Sequence, residues 1–227
     1  MHFSIQKGLD LPIAGNPEQT IHDANTVRSV AVLGNEYVGM KPTMLVEEGQ
    51  QVKLGQALFT DKKIPGVQFT SPGAGKIRAV NRGSKRVLQS IIIDLEGDDE
   101  VTFQQYEQSQ LASLSREDVK NNLLESGLWT AIRTRPYSKS ANPESSPHSI
   151  FVTAMDSSPL SADANVVIQA SAADYANGLT ILSHLTDGKV FVCQAEGSAI
   201  VTNTANNVEV HTFSGPHPAG LASTHIH

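Results

Sequence analysis

Few residues in this 227-residue chain are of a type and spacing that could do chemistry. The first candidates are Lys62 and Lys63, which follow Asp61 and precede Pro65-Gly66. A lysine at the tip of a tight hairpin can carry lipoyl or biotin on a swinging arm. The second is Gly127-Leu-Trp129-Thr-Ala-Ile-Arg133-Thr-Arg135-Pro136, where a helical pattern gives way to a loop. A loop that holds a phosphate wants glycines, so that backbone N–H groups can approach the anion. Here Trp129 and Ile132 would obstruct that approach, while Arg133 and Arg135 could still meet an anion. The plainer reading is that the arginines solvate a bend and Trp129 plugs an interface. The third is a late group of histidines, His211, His217, His225 and His227. Their spacing fits no common zinc pattern. His217 lies between Pro216 and Pro218 in an extended segment, which suits His217 and Pro218 to an interface better than to acid–base work. Cys193, the lone cysteine, sits in the apolar run Val190-Phe-Val-Cys-Gln and reads as a small buried hydrophobe.

Other chemistries are excluded by absence. There is no G-x-G-x-x-G, no phosphate-binding P-loop and no G-x-S-x-G elbow. One cysteine can form neither an internal disulfide nor, by itself, a cluster site. No catalytic residue and no metal ligand set is therefore expected. A net charge of −6 and 5% aromatic residues give no sign of a nucleic-acid partner. At 39% hydrophobic and 18% charged the composition is that of a globular protein. No run approaches the roughly 18 apolar residues of a membrane helix, and the first residues are not a signal peptide. Any membrane role is expected to run through a partner.

The elements that must position these residues fall into three stretches. Residues 1–43 read as a loop-rich arm with one strand at Ser29–Leu33. Residues 44–100 contain one phrase twice. Val46-Glu-Glu-Gly49-Gln-Gln-Val52 is echoed by Val80-Asn-Arg-Gly83-Ser-Lys-Arg-Val87, each followed by an apolar strand. Two strand–turn–strand units joined by a hairpin are the ground plan of a lipoyl/biotinyl-like barrel-sandwich hybrid. The lysines nevertheless fit a carrier poorly. Lys62 stands nine residues before Ser71-Pro72, farther than in lipoyl domains, and no Met-Lys-Met biotin signature is present. Pro65-Gly66 makes the turn, which places both lysines on the rising strand.

Residues 101–227 read as a helical linker and an α/β domain. Leu111, Leu114, Val119, Leu123 and Leu124 have helical spacing, with Ser115 as N-cap and Gly127 as the C-terminal stop. A polar, proline-rich connection at 136–149 precedes strands at 149–154 and 166–168. A helix follows at 170–185, then strands at 189–193 and 207–213. The final residues show neither a helix nor a polar tail, so a truncated α/β domain is expected.

Several longer motifs read together. They are Lys7-Gly-Leu-Asp-Leu-Pro-Ile-Ala-Gly15, Tyr37-Val-Gly-Met-Lys-Pro-Thr43, Phe69-Thr-Ser-Pro72, Asn81-Arg-Gly83 and Lys85-Arg-Val-Leu-Gln-Ser90. Glu125-Ser-Gly-Leu-Trp-Thr-Ala131, Arg133-Thr-Arg-Pro136, Phe151-Val-Thr-Ala-Met-Asp156 and Gly215-Pro-His-Pro-Ala-Gly-Leu221 complete the set. The chain strongly resembles, along its whole length, the A-subunit family of the bacterial sodium-translocating NADH:quinone oxidoreductase. The resemblance implies an N-terminal fragment of a peripheral subunit on the cytoplasmic face of the bacterial inner membrane. Its partners would be the other members of a six-subunit complex, the membrane subunits above all, with ubiquinone a further candidate. That complex uses NADH, flavins, iron–sulfur centres and ubiquinone and exports sodium. The resemblance also implies a Rossmann-like α/β domain related to the FMN-binding subunit of respiratory complex I. Relatives there carry a loop of the form Gly-Leu-Gly-Gly-Ala-Gly-Phe-Pro-Thr. In this chain Trp129, Thr130 and Ile132 replace three of its glycines, so the flavin site is expected to be lost and no redox cofactor to be held by this chain. The competing readings are a swinging-arm carrier and a flavin-binding dehydrogenase fragment.

Overall fold

The structure is a computed structural model and describes residues 1–200 and 205–227. In chain order its strands are β1 (His2–Ser4), β2 (Ser29–Leu33), β3 (Pro42–Met44), β4 (Gln51–Val52), β5 (Ala57–Asp61), β6 (Gln68–Thr70), β7 (Gly75–Arg82) and β8 (Leu88–Leu95). Then come α1 (Arg116–Glu125), β9 (Arg133–Thr134), β10 (Lys139–Ser140), β11 (Ser149–Ala154), α2 (Ala164–Gln169) and α3 (Ala172–Ser183). The last elements are β12 (Lys189–Ala195), β13 (Val208–Ser214) and α4 (Ala222–Ile226). The chain divides into two units. One comprises residues 24–105 and 117–145, the other residues 1–23, 106–116 and 146–227.

The first unit is a sandwich of two antiparallel sheets, ordered β2-β8-β7-β4 and β3-β5-β6. The alternation of strand side chains builds its core. Leu88, Ile91 and Ile93 of β8 are fully inside, as are Ile77 of β7 and Leu58 and Phe59 of β5. Phe59 stacks on Phe69 of β6, ring centroids 4.4 Å apart. At Gly75 the φ of +150° and the carbonyl of Asp94 against the missing Cβ leave glycine as the one residue that fits. The barrel is thus larger than the stretch 44–100 expected for it. β2, assigned to the arm from sequence, pairs in register with β8, Val30 opposite Ile93 and Val32 opposite Ile91.

The expected position of the lysines is corrected. β5 ends at Asp61, so Lys62 and Lys63 lie in the turn and not on the strand. The reason is Asp61 itself. Its buried carboxylate accepts the backbone N–H of Lys63 at 2.9 Å and of Lys41 at 3.2 Å, which bends the chain before the turn. Pro65-Gly66 does form the far turn, closed by the Val67 N–H on the Ile64 carbonyl, with Gly66 at φ +87°.

The second unit is a four-stranded, all-parallel sheet in the order β1-β13-β12-β11. Strands β11, β12 and β13 lie where the sequence places them. Residues 166–168 do not form the expected strand; they belong to α2. The Asp163 carboxylate caps that helix by accepting the Asn165 N–H at 2.8 Å. Ala164 and Ile168, one helical turn apart, pack on the core of Ala154, Leu179, Val192 and Ile200. The chain's first residues are no free arm. β1 extends the sheet beside β13, Phe3 opposite Phe213. The Leu9 N–H donates to the His217 carbonyl, and the Asp10 carboxylate accepts the His217 N–H. The end of the chain likewise differs from expectation, since residues 222–226 form the short helix α4.

Candidate functional site

The candidate site lies in the barrel unit and grows out of the loop at 127–136. α1 stops at Glu125, and Gly127 turns the chain with φ +79°. A Cβ at Gly127 would lie 2.5 Å from the Thr70 hydroxyl oxygen, so this glycine serves close packing against β6. Residues Leu128–Ala131 then form a 3₁₀ turn. Trp129 is buried inside it, its indole N–H donating to the Ala141 carbonyl at 2.8 Å. The N–H groups of Thr130 and Ile132 are spent on the carbonyls of Gly127 and Trp129. A flavin phosphate needs free, converging N–H groups and close backbone approach. Two of this loop's N–H groups are bonded within the turn, and the indole fills its interior.

Beside the loop is an open groove of about 340 Å³. The edge strand β2, the turn at Glu36–Tyr37, the end of β6 and Gly127 with Thr130 form its walls. Tyr37 meets Phe69 edge-to-face at 4.5 Å. Arg133 stacks on the Tyr37 ring at 5.1 Å, a cation–π contact, and its buried Nη1 has no hydrogen-bond partner among the described residues. The serine and threonine hydroxyls of the groove are occupied as donors. Thr70 donates to the Ser126 carbonyl, Ser71 to Gly73 and Thr130 to Gly127. Glu36 is the one carboxylate among the lining residues. Such a groove can bind, but it holds no nucleophile–base pair.

The other sequence candidates are dispersed. Arg135 is exposed and Lys63 donates its ammonium to the Gly39 carbonyl at 2.7 Å. His217 and Pro218 belong to the α/β unit. There His217 Nδ1 lies 3.0 Å from the Ser157 hydroxyl and 3.1 Å from the Ser157 carbonyl, while the Gly220 N–H donates to that hydroxyl at 2.8 Å. A Cβ at Gly8 or Gly220 would run into the backbone of His217 or of Asp156 and Ser157, so these loops are closed on one another. His217 therefore ties loops together. Asp156 nearby is held below the usual carboxylate range, chiefly by the Ser158 backbone N–H it accepts. Burial pushes the Cys193 thiol up to about 11 and the Tyr175 phenol to about 12, away from ionisation. Among the described residues no group of three or more histidine, cysteine or acidic side chains could hold a metal ion. Sequence reasoning singled out the 127–136 loop but not Tyr37, Thr70 or Ser71 as its neighbours. Their only sequence signal was membership in the motifs 37–43 and 69–72.

Two family models cover the chain. The NqrA N-terminal barrel-sandwich hybrid domain matches residues 3–96, and the NqrA second alpha/beta domain matches residues 114–227. The chain belongs to the NqrA family, the A-subunits of the Na(+)-translocating NADH-quinone reductases. It is 57% identical over 225 residues to the Na(+)-translocating NADH-quinone reductase A-subunit of Yersinia pseudotuberculosis serotype O:1b, covering 99% of this chain and 50% of that protein. The corresponding protein of Photorhabdus laumondii is 57% identical over 227 residues, and that of Neisseria gonorrhoeae 55% over 225, with the same coverage. The chain thus spans about half the length of the curated relatives it matches. The family descriptions carry the same two folds that the structure shows, a barrel-sandwich hybrid and an α/β domain. Among the described residues no helix is long and apolar enough to cross a membrane.

Proposed function

We propose that this chain is the first half of a peripheral subunit of a sodium-pumping NADH:ubiquinone oxidoreductase, positioned on the cytoplasmic face of the bacterial inner membrane. In this reading it serves assembly and quinone access and holds no redox cofactor of its own. The NADH, flavin and iron–sulfur chemistry belongs to the other subunits. The observation that carries the reading is the identity of 57% along the whole chain, combined with a 127–136 loop in which Trp129 fills the interior and the Thr130 and Ile132 N–H groups are bonded within the turn. The groove supports the quinone role. Tyr37 and Phe69 offer an aromatic wall to a planar ring, and Arg133 backs the Tyr37 ring from beside the groove.

The test joins residues 1–227 to the second half of the Yersinia pseudotuberculosis NqrA protein and expresses the chimera in cells lacking their own NqrA. The chimera should co-purify with the complex and restore sodium-dependent quinone reduction. A complex that assembles without it overturns the reading. Within a restored complex, Tyr37→Ala should raise the KM for ubiquinone at least tenfold with little change in kcat. An unchanged KM would remove the groove from the quinone path.

A further inference from the structure

The parallel sheet of the α/β unit has one finished face and one unfinished face. On the finished face Val152, Val192 and Val210 pack with Ala164 and Ile168 of α2 and Tyr175 and Leu179 of α3. Side chains alternate along each strand, so the neighbouring positions point the other way. There Phe151, Phe191, His211 and Phe3 make a row across all four strands, ring centroids 5.1, 4.9 and 5.5 Å apart in turn. The row continues from Phe3 through Phe213 to His225 of α4, at 5.1 and 4.3 Å. Where α4 lies, the rings are inside, Phe213 being 4% and His225 7% exposed. Elsewhere Phe151, Phe191 and His211 are half-buried and Phe3 is 39% exposed.

All-parallel sheets occur almost only with both faces covered. Four aromatic rings in contact, one from each strand, are a face built for a second layer. Its margin is charged, with Glu209 2.9 Å from Lys189 and 3.8 Å from His211. An apolar centre with a polar rim has the anatomy of an interface. The occupant follows from the lengths of the relatives. The chain matches the N-terminal and second domain models of the family and spans half of each relative's length. A segment tethered to α4 meets this face at high effective concentration. We propose that in full-length members of this family the half of the polypeptide not spanned by this chain lays an apolar face on the Phe151–Phe191–His211–Phe3 row and completes the sheet within one chain.

The test compares the 227-residue chain with the isolated Yersinia chimera, so its outcome does not depend on whether any complex assembles. Phe3→Cys and Phe191→Cys are each made in proteins whose other cysteines, Cys193 included, are replaced. Maleimide labelling of the native protein is normalised to labelling in denaturant. Both positions should react at least tenfold more slowly in the chimera. Equal rates in the two proteins would overturn the proposal. So would protection of the 227-residue chain that grows with its own concentration, which would make the occupant a second copy. So, too, would protection that arises only after partner subunits are added. Should a cysteine variant fail to fold, His211 can be titrated in the unsubstituted proteins. Burial already holds its imidazole below the ordinary value, and the added layer should lower it further. An unchanged titration overturns the proposal equally.

Discussion

Gly127 shows how one residue can serve either a ligand or a fold. In a phosphate loop its missing side chain would admit an anion; here it admits Thr70. Replacement by alanine forces a positive φ of 79° on a residue with a Cβ and drives that carbon into Thr70. Gly127→Ala should therefore cost about 2–5 kcal/mol, the sum of a left-handed backbone penalty and overpacking. Chemical denaturation of wild type and variant measures it. Trp129→Phe loses both the bond to Ala141 and part of the buried ring system, and should cost about 2–4 kcal/mol. Cys193, fully buried and with its thiol pushed up to about 11, should resist iodoacetamide at neutral pH until the α/β unit unfolds. That role was legible in the sequence from the apolar run around it. The role of Arg133 was not, because nothing in its neighbourhood along the chain announces Tyr37, nearly a hundred residues away.

At the scale of elements, sequence reading succeeded where a pattern is local and failed where a distant partner decides. Strands β2, β11, β12 and β13 carry dense β-branched runs and were legible. Residues 166–168 have the same composition, yet the Asp163 cap and the spacing of Ala164 to Ile168 make them helical. The pairing of β1 with β13 joins residues over two hundred positions apart, and no local signal encodes it. This changes the meaning of an N-terminal deletion. Removing residues 1–11 strips β1 and the bonds to Ser214 and His217, and so should lower the stability of the α/β unit and expose the β13 edge. Leu9, Leu11 and Ile13 are 72, 57 and 47% exposed, so changing all three to serine spares the fold. If the segment docks onto a partner subunit, the triple variant should release the full-length protein from washed membranes with its circular dichroism unchanged.

Helix α4 lends its unit a pH dependence. Burial against Phe213 holds the His225 imidazole below its ordinary value of 6.5, with the Nε2 contact to the Ala219 carbonyl a smaller opposing effect. A histidine kept neutral by the fold contributes stability that is fully present above its unfolded value. That stability is lost as pH falls through the folded value. The melting temperature should thus hold above about pH 6.5, the unperturbed histidine value, and drop as pH falls below it. His225→Phe, which preserves the stacking, should flatten that drop. His211, lowered in the same direction, should supply what slope remains.

At the scale of the whole molecule, the barrel-sandwich fold and the chemistry such folds are known for come apart. The scaffold is present, and the hairpin between β5 and β6 places Lys62 and Lys63 in its turn, where a ligase could reach an amine. Position alone would favour a carrier more than the sequence spacing did. The local bonds oppose it. Lys63 donates to the Gly39 carbonyl, the Lys62 N–H to the Lys41 carbonyl, and Asp61 pins the turn from inside. A swinging arm needs a lysine free at a mobile tip, and this turn is tied back to the segment before β3. Both lysines should therefore be unmodified in protein purified from a host with active lipoyl and biotin ligases. Intact mass should match the polypeptide alone, and the absorbance near 450 nm should show no flavin. A lipoyl or biotinyl increment on the peptide spanning Lys62 and Lys63 would restore the carrier reading. Flavin absorbance that survives gel filtration would instead show that the turn at 128–131 opens to admit a ligand.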